Sequence, residues 1–197
     1  MVRSYGDDIV THSRRGVGFA ECPPAAPICS PAMMVIVAGV SGSGKTTVGG
    51  LLARRAGWPF ADGDSFHPAA NLAKMTAGIP LTDDDRWPWL RAIGAWMDER
   101  AAAGQSCVVA CSALRRAYRE MLLGGRPAAR LAFLDVGHDL DTRRLSGRHG
   151  HFFPAALLDS QFAELEVPRP AEGALVLSAD ATPDELVTQI ISSLGIN

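Results

Sequence analysis

Two short stretches hold the residues whose types and spacing could do chemistry. The first is Gly39-Val40-Ser41-Gly42-Ser43-Gly44-Lys45-Thr46, followed by Thr47. It matches the phosphate-cradling pattern G-x-x-x-x-G-K-[ST] at every fixed position. Its glycines permit backbone angles that turn successive N–H groups toward one anion, and a helix beginning at its end adds partial positive charge. In such a cradle Lys45 reaches the β- and γ-phosphates of a nucleoside triphosphate, and the Thr46 hydroxyl ligates Mg²⁺. The motif names a triphosphate and leaves the task open, since switches, motors, transporters and small-molecule kinases all use it.

The second stretch, Phe60 to Pro68, reads FADGDSFHP. Two features narrow the task it serves. No N-K-x-D guanine-reading motif follows the later strands, and the third apolar run, residues 106–111, leads into Ser112 where an aspartate is usual. Mg²⁺ therefore needs another carboxylate. Asp62 and Asp64 end the second strand, which is expected close to the first at the carboxyl edge of the sheet, where ligands bind. One acid can face the metal's water shell while the other takes the proton of an attacking hydroxyl. Gly63 between them is expected to let the backbone come close to a ligand. An ordinary polar turn is the competing reading of the same three residues.

The elements that must position these groups alternate along the chain. Apolar runs at 34–39, 58–62, 106–111, 129–136 and 174–179 read as buried strands. Helical stretches follow at 45–56, closed by Gly57, and at 83–104, 113–125, 139–148, 154–166 and 182–195, the last with Asp184 and Glu185 in its first turn. Strands alternating with helices predict an α/β domain: a parallel five-stranded sheet with helices on both faces. Residues 33–197 are expected to form one domain, with an insertion over about 63–104. Residues 1–32 show neither helical nor strand periodicity and are expected to be a disordered extension, with no secretory signal.

Bulk properties exclude some partners. The 197 residues carry a formal net charge of -2, with 47% apolar and 20% charged residues. That balance argues against a cationic surface for nucleic acid, and no apolar run is long enough to span a bilayer. The four cysteines, Cys22, Cys29, Cys107 and Cys111, lack metal-ligand spacing and fit a reducing cytoplasm. Lys45 and Lys74 are the only lysines.

Taken with these blocks, the sequence resembles the gluconokinases, P-loop kinases related to shikimate and nucleoside-monophosphate kinases. The resemblance is carried by GVSGSGKTT, by DGDSFHPAANLAKMTAGIPLTDDDRWPWL over 62–90, by CSALRRAYRE over 111–120 and by GRHGHFFPAALLDSQFAELEVP over 147–168. It runs from Met34 to the C-terminus. It implies ATP- and Mg²⁺-dependent phosphorylation of D-gluconate at its 6-hydroxyl, in a homodimer; another small anionic polyol acceptor, such as shikimate or a different aldonate, is the alternative.

Residue by residue, the resemblance implies Asp64 at the acceptor hydroxyl and Asp62 at the Mg²⁺ water shell. Gluconate is an anionic polyol, and His67, Asn71, Lys74 and Arg86 stand where related kinases bind their acceptor. Arg86 can grip a carboxylate through two hydrogen bonds. On a helix Asn71 and Lys74 would face the same way. A capping role for His67, and ion pairs of Lys74 and Arg86 with Asp83–Asp85, are the competing structural readings. RRLSGRHGHFF over 143–153 resembles the family's lid, placed at about 146–156. Arg148 would close over the transferring phosphoryl group, Arg144 would contact the nucleotide, and His151 would contact acceptor or lid. His149 departs from the family pattern. Gln161 is expected to contact the acceptor. Trp89, Ile93 and Trp96 are spaced as a packing face of the acceptor subdomain.

Overall fold

The computed structural model describes residues 32–136 and 155–196, the side chains of 155–158 excepted. The expected extension (but for its last residue) and the helix expected over 139–148 lie outside the described residues. Five strands, β1 (Met34–Ala38), β2 (Phe60–Asp62), β3 (Cys107–Ala110), β4 (Ala129–Asp135) and β5 (Leu175–Ser178), form one parallel sheet in the order β2-β3-β1-β4-β5. Six helices are described: α1 (Lys45–Ala56), α2 (Ala69–Thr76), α3 (Asp83–Ala102), α4 (Arg116–Leu123), α5 (Ala155–Glu164) and α6 (Pro183–Leu194).

The central strands β3, β1 and β4 are largely buried apolar runs because both faces of the sheet are covered there, while the edge strands β2 and β5 are partly exposed. Along β1, Val35 and Val37 point to one face and join Leu52 of α1 with Val187 and Ile190 of α6. Met34 and Ile36 point to the other and join Leu90, Ile93 and Met97 of α3 with Tyr118 and Leu122 of α4. This is the two-residue alternation of a strand read on two buried sides. Each fully buried aliphatic side chain stabilises the fold by about 1.5–3 kcal/mol.

Local signals set the ends of the helices. Gly57 closes α1 in the left-handed region (φ 69) and donates its N–H to the Ala53 carbonyl. Thr82 and Asp85 form a reciprocal capping box at the start of α3, and Thr182 and Glu185 do the same for α6. Arg55, in the last turn of α1, ion-pairs with Asp184 in the first turn of α6, which ties two helices on the same face.

Three expectations change or gain detail. First, β2 comes near β1 at the carboxyl edge across β3, which runs between them with Ala110 paired to both Val37 and Asp62. Second, the helix expected from 113 begins at Arg116. The chain turns first at Ala113, whose φ of 40 is rare outside glycine, and the buried Arg119 guanidinium holds the Ala113 and Leu114 carbonyls at 3.3 and 2.9 Å. Third, α3 packs on the main sheet. Its buried face is Trp89, Leu90, Ile93, Gly94 and Met97, with Trp96 only partly covered.

Candidate active site

The first helix begins without a side-chain cap. Gly44 stands at its N-terminus in the left-handed region (φ 96), and Gly42 before it has φ 88. Both conformations suit glycine alone, and they leave the helix-end N–H groups to an incoming anion. Gly39, Val40 and Ser43 form the back of this loop. Val40 and Ser43 are 2% and 1% exposed, and a Cβ on Gly39 would lie 2.7 Å from the Leu134 carbonyl oxygen. Ser41, Gly42, Gly44, Lys45, Thr46 and Thr47 form the front and line a cavity of about 540 Å³. Lys45 folds back over the loop, donating from Nζ to the Val40 carbonyl at 2.6 Å.

The end of β2 meets this loop from across β3. Thr46 Oγ1 donates to Asp62 Oδ2 at 2.9 Å, while Asp62 Oδ1 accepts the Asp64 N–H at 3.1 Å. Asp62 thus caps the short 3₁₀ turn Gly63–Phe66 and touches the P-loop hydroxyl at once. This hydroxyl and carboxylate are hard oxygen donors of the kind Mg²⁺ takes, an ion that keeps several waters and uses few protein ligands. Asp64 is exposed and lines the same cavity, as does Ser112, whose carbonyl accepts the Gly39 N–H. Gly63 has a role other than the one expected. A Cβ there would meet the Ala110 carbonyl oxygen at 2.5 Å and Ile93 Cδ1 at 3.3 Å, so the glycine lets β2 close on β3 and α3 rather than on a ligand.

His67 follows the turn and stacks on Trp89, ring centroids 4.3 Å apart and planes within 14°. Trp89 Nε1 in turn donates to the Gly63 carbonyl at 2.6 Å. Asn71 Nδ2 donates to the Asp85 carbonyl at 2.9 Å, which fixes its amide orientation and turns the same nitrogen to His67 Nδ1 at 3.3 Å. Nδ1 therefore accepts, and the neutral ring carries its proton on Nε2. Burial pushes the His67 pKa below its ordinary value, with Asp64 opposing that shift and Arg86 adding to it.

Arg86 lines the cavity near this histidine, its side chain 14% exposed. It ion-pairs with Glu164 Oε2 at 2.6 Å and donates to Tyr118 Oη at 2.9 Å. Burial alone would lower its pKa, but the hydrogen bonds to Glu164 and Tyr118 outweigh burial and hold the guanidinium above its ordinary value. Of the competing ion pairs with Asp83–Asp85, that of Lys74 forms, with Asp85, whereas Asp83 is taken by Arg115 and Tyr118.

Two expected acceptor contacts lie off the cavity. Asn71 is 3% exposed and joins the 3₁₀ turn to the start of α3. Lys74 grips Asp85 through both oxygens, at 2.7 and 2.8 Å, and holds that carboxyl down at about 2. They do face the same way, toward Asp85, because one helical turn separates them. Gln161 reaches the cavity at its nucleotide end, accepting the Ser41 N–H at 2.6 Å. Arg144, Arg148, His149 and His151 lie outside the described residues.

The model of the shikimate kinase family matches residues 41–194. A gluconokinase from Gluconobacter oxydans is 46% identical over 157 residues, spanning 80% of this chain and 88% of its own. The chain belongs to the gluconokinase family. The crystal structure of a gluconokinase from Sinorhizobium meliloti has a TM-score of 0.75 at 42% identity, covering 84% of this chain and 92% of that one. An APS kinase from Mycobacterium tuberculosis, solved in complex with AMPPNP and APS, has a TM-score of 0.62 at 23% identity and shares the fold.

Membership in the gluconokinase family does not by itself reveal four groups, in the cavity or paired with its Arg86, that sequence reasoning left aside. Trp89 reads as packing and is also the platform under His67. Tyr118 and Glu164 carry no local signal, since their partner, Arg86, lies 32 and 78 positions away. Met75, Ile79, Pro80 and Leu81 form an apolar wall after α2. The run GIPL after a short helix is the one hint of it in the sequence.

Proposed function

We propose that this chain transfers the γ-phosphoryl group of ATP to the 6-hydroxyl of D-gluconate, giving 6-phospho-D-gluconate and ADP. One observation carries the reading: a single cavity joins the phosphate loop, the Asp62–Asp64 pair and the half-buried Arg86. These supply a triphosphate site, a base and a carboxylate grip. The 46% identical gluconokinase adds the acceptor's identity.

In this reading the P-loop N–H groups and Lys45 hold the phosphates, and Thr46 with Asp62 would hold Mg²⁺. When bound, Mg²⁺ offsets negative charge on the phosphate oxygens. Arg86 pairs with the gluconate carboxylate, and the His67 Nε2–H donates to an acceptor hydroxyl. Asp64 takes the 6-hydroxyl proton as that oxygen bonds to phosphorus, and ADP leaves with the electrons of the broken P–O bond. Arg148 and Arg144 close over the phosphates, with His151 beside the acceptor, as the family resemblance implies. Gln161 acts from the cavity wall through the Ser41 N–H, and Asn71 and Lys74 act on this site indirectly, by bracing α2 against α3.

The same reading includes a cytoplasmic homodimer. Cys107 and Cys111 are buried free thiols, pushed by burial up to about 11 and about 12, which suits a reducing compartment. Light scattering on the purified chain tests the dimer.

The deciding experiment is a coupled assay of 6-phosphogluconate formation, run beside shikimate, other aldonates and nucleoside monophosphates. Gluconate is expected to give the highest kcat/KM. A higher value with any other acceptor would replace gluconate as the substrate.

A further inference from the structure

Helix α5 sets two oxygen acceptors on one face, a single turn apart: Gln161 and Glu164. Gln161 Oε1 sits on the Ser41 N–H at 2.6 Å, in the front of the phosphate loop. Glu164 Oε2 lies 2.6 Å from the guanidinium of Arg86, and Arg86 lines the acceptor end of the same cavity. Each is chemically a stand-in for a substrate. An amide oxygen occupies a donor suited to a phosphate oxygen, and a side-chain carboxylate occupies the cation suited to the carboxylate of an acid substrate.

We propose that α5 is a displaceable plug coupling the two half-sites, with Glu164 the residue an acceptor carboxylate must replace. The exchange has a built-in second position. The other Glu164 oxygen, Oε1, lies 3.8 Å from Arg115 Nη2, and Arg115 is more exposed than Arg86. An incoming carboxylate thus swaps one guanidinium–carboxylate pair for another, while Glu164 passes to Arg115 and to water. No buried charge is left unpaired, which is the condition for such a swap to be easy. Because Gln161 and Glu164 share one helix, lifting either loosens the other. Nucleotide and acceptor therefore bind with mutual positive coupling, equal in both directions by linkage.

This inference rests on Arg86 receiving the acceptor carboxylate, and the test separates the two. A non-hydrolysable ATP analogue is titrated calorimetrically into the full chain with and without saturating D-gluconate. In the wild type, gluconate is expected to tighten analogue binding by about fivefold or more. In Glu164→Gln the neutral amide competes less well for Arg86. The gluconate KM should fall severalfold with kcat little changed, and the coupling should shrink to about twofold or less. A rise in KM would mean that Glu164 only props Arg86, and would overturn the plug, as would a wild type without coupling. Gln161→Ala should bind the analogue more tightly than wild type in the absence of acceptor. If Glu164→Gln does not fold, that variant decides, and unchanged analogue affinity overturns the proposal. A wild type that does not phosphorylate gluconate refutes the acceptor assignment instead, with Gln161→Ala still testing the plug at the nucleotide end.

Discussion

Gly63→Ala is the smallest change that reaches both carboxylates without touching either. The added Cβ would stand 2.5 Å from the Ala110 carbonyl oxygen, about 0.9 Å inside the 3.4 Å of an ordinary contact, and 3.4 Å from Cys111 Cα. Both neighbours are backbone of a buried strand end, so neither can rotate away. Relief must come from β2 and the 3₁₀ turn, which would also stretch the Trp89–Gly63 hydrogen bond of 2.6 Å. Forcing a methyl into packing this close costs about 1–3 kcal/mol. For a domain of this size that lowers Tm by roughly 3–10 °C. The functional effect is larger, because Asp62 and Asp64 flank the glycine and a shift near 1 Å in a reacting geometry can cost about a hundredfold. Differential scanning calorimetry reads the first effect, and the 6-phosphogluconate assay at saturating substrates reads the second. A variant with wild-type Tm and kcat within about twofold would show that close packing under Gly63 does not place the carboxylates.

Four further outcomes follow from the same geometry. Lys45→Ala should fold normally, since the side chain lies at the cavity over the phosphate loop and outside the two apolar cores, and should lose about 3–4 kcal/mol of transition-state stabilisation, seen as a hundredfold or greater fall in kcat. Asp64→Asn should lower kcat by roughly 10²-fold with ATP affinity little changed, whereas Asp62→Asn should raise the Mg²⁺ needed for half-maximal rate; a magnesium titration of both variants checks the division. Lys74→Ala should lower Tm while the gluconate KM stays within about twofold, because the lysine serves Asp85 and not the cavity; a tenfold higher KM would return it to the acceptor site. His67 has a folded pKa below its unfolded value of about 6.5, so below that pH the unfolded chain binds more protons than the folded one. Its contribution is complete above pH 6.5 and is lost as the pH falls through the folded pKa, so the decline in Tm from pH 7.5 to 5.5 should be shallower in His67→Gln.

Whatever depends on neighbours along the chain was legible without coordinates. The phosphate loop is eight consecutive residues whose glycines carry their own backbone preference, and α1 runs over the residues expected, from Lys45 to its stop at Gly57. The central strands declare themselves because burial on both faces leaves a largely apolar run. The block from Asp62 to Leu90 carries the family resemblance for the same reason: its residues are contiguous.

What the tertiary structure decided is which distant groups meet. Only the crossover connections put β3 between β1 and β2, and so set Ala110 rather than a ligand against Gly63. The spacing of Asn71 and Lys74 shows that they share a helix face, while the turn into α3 decides that this face meets Asp85 instead of the cavity. Ser41 meets Gln161 across 120 positions, and Arg86 meets Glu164 across 78. A side chain's type fixes what it can bind, and the path of the backbone fixes which of several competent partners comes within 3 Å. Arg86 could have paired with any of three adjacent aspartates, but the packing of α5 against the site gave it Glu164.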